Sequence, residues 1–395
     1  MIAAPAAPTV RQLVPFAALS ATYFAHIGFF NPYLTLWLQH LGLPLVVISM
    51  LAAIQSVTRV FAPYAWGALS DHTGERVKLL RVAAALAVVS SFGLWWTGGP
   101  WWIGLVLLLI FTATSSMMSL TEAAMAHLVA GNWGRYGRVR VWGSIGFMVT
   151  VFTAGAWFEH FGMAHFPGWT LVTLLLVLVC TWRLPDLHDK PEAGTAASPQ
   201  PVWPVLRNPA VLWFFASLFF HVMSHCAIYA YLSLYLDARG YGKTMIGALW
   251  AISVLVEIAW FFSQGRLLHL QRMTGWLVVC GIATIIRMAL TGGRVDSVAV
   301  LVIAQALHAL TFATHHTACI ALITHHFPGR LRARGQAIFT IVGYGLGGVS
   351  GVVAGGAFAS RTSFEWMYFA AAMVALAGTL CAWQADQLDK CGRAS

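Results

Sequence analysis

The chain has 395 residues, is 59% hydrophobic and 9% charged, and has a mean hydropathy of +0.74, which excludes a water-soluble globular domain. Lys and Arg outnumber Asp and Glu by 23 to 13, giving a net charge of +10. Placing those bases on one side of a membrane accounts for the excess, so no nucleic-acid partner is expected.

Apolar runs of about 20 residues recur, the length that crosses a bilayer core of about 30 Å as a helix. They predict twelve spans, at 13–38, 44–69, 79–97, 101–127, 139–159, 168–184, 209–236, 244–262, 275–291, 297–325, 337–358 and 365–384. The expected fold is all-α and integral to the membrane. The first run is too long for a signal-peptide core and no small-residue cleavage site follows it, so it is read as a span.

Span one carries His26 and Asn31, and Asn31-Pro32 predicts a break, because proline lacks the N–H of the helix ladder. Broken helices at mid-membrane depth often border a binding cavity. Tyr33-Leu-Thr-Leu-Trp-Leu-Gln39, closed by Gly42, follows, and Tyr231-Leu-Ser-Leu-Tyr-Leu-Asp237, closed by Gly240, repeats it at an offset of 198 residues. The same offset carries Gly67 onto Gly265, Gly137 onto Gly335, and Arg59 onto Glu257. A repeat of half the chain length predicts two six-helix bundles, 1–184 and 209–395. Between them, residues 185–208 hold Pro185, Pro191, Pro199, Pro201 and Pro204 with Gly and Ser, and read as a linker.

Charge placement sets the orientation. With the N-terminus cytoplasmic, 17 of the 23 Lys and Arg fall on the cytoplasmic side. Arg239, Lys243, Arg294 and Arg361 face outward, while Arg59 and Arg287 lie inside spans. That bias satisfies the positive-inside rule and puts both termini and the linker in the cytoplasm. Trp95, Trp96, Trp101 and Trp102 bracket the loop at Gly98-Gly-Pro100 as an interfacial belt. Five of the six cysteines lie in apolar runs without a CxxC spacing, so they read as small buried residues.

Intramembrane ionisable residues are costly and mark candidate functional positions. They are Glu122 on span four with Arg140 at similar depth, His221 and His225 on one face of span seven, Glu257 on span eight, Arg287 on span nine, and His308, His315 and His316 on span ten. At about 1.5 Å per residue, Arg287 comes out about 10 Å nearer the outside than Glu257, which leaves a direct bridge open. Tyr23, Tyr33, Trp37, Tyr229, Tyr231, Tyr235 and Trp250 could wall a substrate cavity.

The loop Gly67-Ala-Leu-Ser-Asp71-His-Thr-Gly74-Glu-Arg76-Val-Lys78 resembles the conserved loop between spans two and three of the major facilitator superfamily. The resemblance implies gating roles for Gly67, Asp71, Gly74, Arg76 and Lys78, to which Arg59 is added as an intramembrane charge. Tyr136-Gly-x-Arg138-x-Arg140-x-Trp142-Gly-Ser144, Leu249-Trp250 with Glu257, Cys280-Gly281 with Arg287, and Leu307-His308-Ala-Leu-Thr-Phe312 look like the 3-phenylpropionic acid transporter branch. That branch is similar to the lactose permease and nucleoside–proton symporter families. Glu257, Arg287 and His308 match three members of the lactose-permease coupling set, while Thr311 stands where an acid would follow. Glu122 and Arg140 match its sugar-binding pair.

The expected function is therefore a monomeric, proton-coupled secondary transporter of a bacterial inner membrane, not an enzyme, with no metal or cofactor. Glu257, His308 and Arg287 would couple the proton. Arg287, Glu122, Arg140, His26, Asn31, Tyr33, His221, His225, Tyr229, Trp250 and His315 would bind a small organic acid with an aromatic body. Nucleosides or sugars are the alternative substrates. A membrane histidine-box enzyme, prompted by His221, His225, His315, His316, His325 and His326, and a transport-dead sensor are the remaining alternatives.

Overall fold

A computed structural model of the chain describes residues 10–96, 98–115, 117, 118, 120, 121, 133–185, 201–264, 268 and 273–394, without side chains at 10–12, 133–138, 330 and 392–394. The described residues are helical, with short turns between. We number the helices α1 Val10–His40, α2 Leu45–Thr73, α3 Arg76–Ser91, α4 Pro100–Thr114, α5 Trp133–Phe161 and α6 Phe166–Trp182. After a single turn at Trp203–Leu206 come α7 Pro209–Ala238, α8 Lys243–Ser263, α9 Met273–Gly293, α10 Val298–His326, α11 Arg332–Arg361 and α12 Phe364–Ala394.

Eleven of these are long and apolar enough to cross a membrane, while α4 is a shorter apolar helix. The expected fourth span, 101–127, continues into residues outside the described set. Lipid cannot satisfy backbone N–H and C=O groups, so sequences this apolar all round take the helix, which satisfies them internally. Trp95, Trp96 and Trp101 are exposed beside the α3–α4 turn. The linker reading of 185–208 and Gly265, Arg266 and His269 of the α8–α9 connection fall largely outside the described residues.

Helix ends follow local chemistry. Asn208 accepts from the Ala210 N–H to start α7, and Ser297 accepts from Val300 N–H to start α10. Each Tyr-Leu-hydroxyl-Leu repeat closes on a glycine at positive φ, Gly42 at 76° and Gly240 at 82°, where a Cβ would be strained. The expected break at Asn31-Pro32 does not occur, because α1 runs unbroken through Pro32. Buried Phe29, Phe30, Tyr33, Leu34 and Trp37 flank the proline, and their packing outweighs a local cost of about 3 kcal/mol.

One apolar cluster draws only on residues 13–184 and a second only on 202–382, while the third and largest mixes both sets. That third cluster lies toward the end carrying the turns at 41–44 and 239–242. The two tyrosines of the repeat cross there. Tyr33 Oη sits 2.9 Å from the Val151 carbonyl and 3.2 Å from that of Lys243, sharing its single proton. Tyr231 Oη lies between Ser49 Oγ, at 2.9 Å, and the Val352 carbonyl. Glu159 Oε2 accepts from the Thr244 N–H at 2.7 Å, capping α8 from α5. Gly155 and Gly247 let the α5 and α8 backbones touch, and Gly356 admits Ser49 of α2. This end of the molecule is closed.

Candidate functional site

The expected coupling residues meet, with His308 between the other two. Arg287 of α9 is 0% exposed. Its Nη1 donates to Thr311 Oγ1 at 2.9 Å and to His308 Nδ1 at 3.1 Å, and its Nη2 donates to Gln305 Oε1 at 3.1 Å. His308 Nε2 lies 3.3 Å from Glu257 Oε2 of α8. Arginine can only donate, so His308 must accept at Nδ1, and its proton sits on Nε2 facing the carboxylate. The bridge from Arg287 to Glu257 thus passes through an imidazole, and no direct ion pair joins them among the described residues. Among the described residues, Arg287 Nε and Gln305 Nε2 are buried without a partner.

Helix α10 is built to present this set. Residues Ala309–Thr314 form a π-helical stretch inside it, a distortion frequent at functional sites. Thr311 serves two partners: its hydroxyl takes Arg287, and its carbonyl accepts from His221 Nε2 at 2.8 Å. His225 donates from Nδ1 to the His221 carbonyl at 3.0 Å, and its Nε2 is buried without a partner among the described residues. The His315 and His221 rings stack at 3.5 Å and 3°, and the His225 ring lies 4.4 Å from that of His221 at 27°. Face-to-face imidazoles hold their nitrogens in parallel planes, so the ring lone pairs do not converge on a common point. Tyr229 stands over Trp250 at 6.3 Å and edge-on to His308 at 6.4 Å. Trp250 itself donates to Ser233 at 3.2 Å.

A recess opens on the other side, between α1, α2 and α4, with about 430 Å³ of empty space, mouth included. Tyr23, His26, Ile27, Phe30 and Asn31 face it from α1, and Gln55, Thr58 and Arg59 from α2. Phe111, Thr114 and Ser115 complete it from the α4 side. Gln55 donates to Asn31 Oδ1 at 3.0 Å, and His26 Nδ1 pairs with Thr173 Oγ1 at 3.0 Å. Arg59 lies 5.7 Å from the ring of Tyr344, in the second π-helical stretch, Thr340–Gly347. Arg59 and Glu257 both lie within electrostatic range of Tyr229 and Tyr344, so the recess and the Glu257 network border one central region.

Other expected site residues are placed apart. Tyr33 is fully buried in the closed end rather than at the recess, and Trp37 stacks on Phe166 at 5.1 Å. Tyr235 bonds the Gly292 carbonyl at 3.3 Å. Arg140 lies over the Phe24 ring at 4.6 Å and reaches Met118 Sδ at 3.4 Å. Its expected partner Glu122 lies outside the described residues. In the loop, Gly74 ends α2 at φ 68° and Gly67 faces open space. Asp71 is 79% exposed, 4.0 Å from Arg76, and Lys78 pairs with Glu75 at 2.5 Å. Gln305, Gln55, Phe30, Phe111, Thr58 and Tyr344 were not anticipated. The signal available for the first two was an amide inside an apolar helix.

A family model described as the MFS_1 like family matches residues 17–370. The probable 3-phenylpropionic acid transporter of Escherichia coli (strain K12) is 25% identical over 334 residues, covering 82% of this chain and 85% of that protein. The maltose permease of Geobacillus stearothermophilus is 29% identical over 166 residues, 41% of each chain. Among solved structures, the nucleoside transporter NupG superposes with a TM-score of 0.82 at 14% identity, covering 95% of this chain and 99% of that one. The fold likeness at that identity concerns architecture alone.

Proposed function

The chain belongs to the MFS_1 like family and is an integral membrane transporter of the major facilitator type, not an enzyme; from that premise we propose that it couples proton entry to uptake of a small organic acid with an aromatic or apolar body. The observation that carries the coupling half is the Glu257–His308–Arg287 relay, with His308 and Arg287 buried and Glu257 partly buried. A proton carrier must be neutral in one state and ionised in another. The imidazole of His308 links Arg287 to Glu257, so any shift of α9 against α10 changes the hydrogen bond that reaches the carboxylate. The membrane potential supplies about 2.3 kcal/mol per charge per 100 mV, enough for about fifty-fold accumulation.

We read the architecture as two six-helix bundles, residues 1–184 and 209–395, joined by 185–208 and rocking about the central region. The clusters confined to each set of helices support that reading. With the termini cytoplasmic, the closed end is the outer one, and the exposed Asp71 is an unlatched inner gate. The molecule works as a monomer in the bacterial inner membrane. The acid substrate class rests on the relative from Escherichia coli and on the aromatic and cationic lining of the site. The maltose permease and the nucleoside transporter keep neutral polyols as the second reading.

The test uses purified protein in liposomes. An inside-alkaline gradient should drive accumulation of labelled 3-phenylpropionate, and a protonophore should collapse it. Accumulation untouched by the protonophore would remove the proton from the mechanism.

A further inference from the structure

The transporter reading puts a carboxylate in the molecule; with Arg140 turned to the Phe24 ring and Met118, Arg287 and Arg59 are the guanidiniums left to compare. Arg287 is enclosed: its Nη atoms donate to Thr311, His308 and Gln305, its Nε has no partner among the described residues, and the residue has no exposed surface. A ligand could reach it only by parting the helices that bury it. Arg59 is the reverse case. It is half-buried, faces the recess, and has no carboxylate or hydrogen-bond partner among the described residues, only the face of Tyr344.

We propose that the recess between α1, α2 and α4 is the substrate's anion site, with Arg59 taking the carboxylate. The rest of the lining agrees. Among the described residues it contains one cation and no acid. The hydroxyls of Thr58, Thr114 and Ser115 are committed to backbone carbonyls within their own helices. Asn31 spends its carbonyl on Gln55, which leaves its NH2 as a donor. A guanidinium and an amide NH2 make a donor pair for a carboxylate, and a planar fork binds it with two parallel bonds. Phe30, Phe111 and Tyr23 supply ring faces beside that pair, so the ligand is an aromatic monocarboxylate rather than a polyol. Arg59 and Glu257 are related by the 198-residue repeat, so the substrate anion and the proton occupy equivalent helices facing one central region. This inference rests on the acid reading of the substrate.

The experiment measures binding of 3-phenylpropionate and of its neutral amide, by thermal shift and by isothermal titration, to the full chain and to Arg59→Gln, Arg59→Lys, Asn31→Ala and Arg287→Gln. The native protein should bind the acid and not the amide. Arg59→Gln should lose about ten- to a hundredfold in acid affinity, the range for a hydrogen bond to a charged group. Arg59→Lys should recover only part of it, because an ammonium keeps charge without the fork. Asn31→Ala keeps Arg59 and should lose severalfold. Unliganded melting temperatures check each variant's fold, and Asn31→Ala with Arg59→Lys carry the test if Arg59→Gln does not fold. Undiminished acid binding in Arg59→Gln, or in both substitutes, overturns the site while the acid reading stands. Loss in Arg287→Gln alone moves the anion to α9. Native protein that binds a nucleoside or maltose and ignores the acid overturns both readings.

Discussion

Replacing Thr311 by valine removes one oxygen and almost no volume. The Thr311 carbonyl stays, so the bond from His221 survives, and β-branching is unchanged. The 2.9 Å bond from Arg287 Nη1 is lost. A hydrogen bond to a charged group contributes about 1.5–3 kcal/mol in soluble proteins. Interhelical bonds in bilayers average about 0.6 kcal/mol and reach about 1.7. Arg287 belongs at the upper end of the bilayer range, because it is fully buried and its Nε already lacks a partner among the described residues. We expect a coupling of about 1.5 kcal/mol in a double-mutant cycle of Thr311→Val with Arg287→Met, read by equilibrium unfolding in mixed micelles. Thr311→Ser should behave as the native residue. A coupling below about 0.5 kcal/mol, or a serine variant as weak as valine, would show that the hydroxyl does not hold the guanidinium.

The closed end should open when its cap is removed. Glu159→Ala deprives the Thr244 N–H of its acceptor, at about 1 kcal/mol or about fivefold in population, and Gly155→Ala drives a Cβ into Tyr33 and the Lys243 carbonyl. Spin labels at Phe161→Cys and Met245→Cys, with the native cysteines replaced, should move apart in both variants, and an unchanged distance distribution would show that these contacts do not set the closure. For orientation, a reporter joined after Ser395 should be active only in the cytoplasm, and periplasmic activity would invert the assignment of the two ends.

The chemical members of the relay were legible because Glu257, Arg287 and His308 are ionisable residues in apolar runs. Their connection was not. Counting residues along ideal helices left Arg287 and Glu257 offset, and it could not foresee the π-helical stretch at Ala309–Thr314 or an imidazole spanning the gap. The repeat was legible as a pattern, and its tyrosines turned out to be reciprocal: Tyr33 reaches α8, and Tyr231 reaches α2. Sequence assigned those rings to a cavity wall because burial against a neighbouring helix and burial against a ligand leave the same composition. Pro32 was overread for a related reason, since a local rule lost to the packing of the residues around it. Arg59 was legible as an intramembrane charge and as the repeat-mate of Glu257. Its surroundings, Gln55 and Asn31 from one pair of helices and Phe111 from another, come together only through the fold.

The account turns on Glu257 as the proton carrier, and Glu257→Gln addresses it directly. The amide oxygen can still accept from His308 Nε2, so the geometry of the relay is kept while the titrating group is removed. In liposomes loaded with unlabelled substrate and no gradient, the variant should exchange labelled 3-phenylpropionate at close to the native rate. Under an inside-alkaline gradient it should reach equilibrium and go no further. Concentrative, protonophore-sensitive uptake by Glu257→Gln would contradict the account.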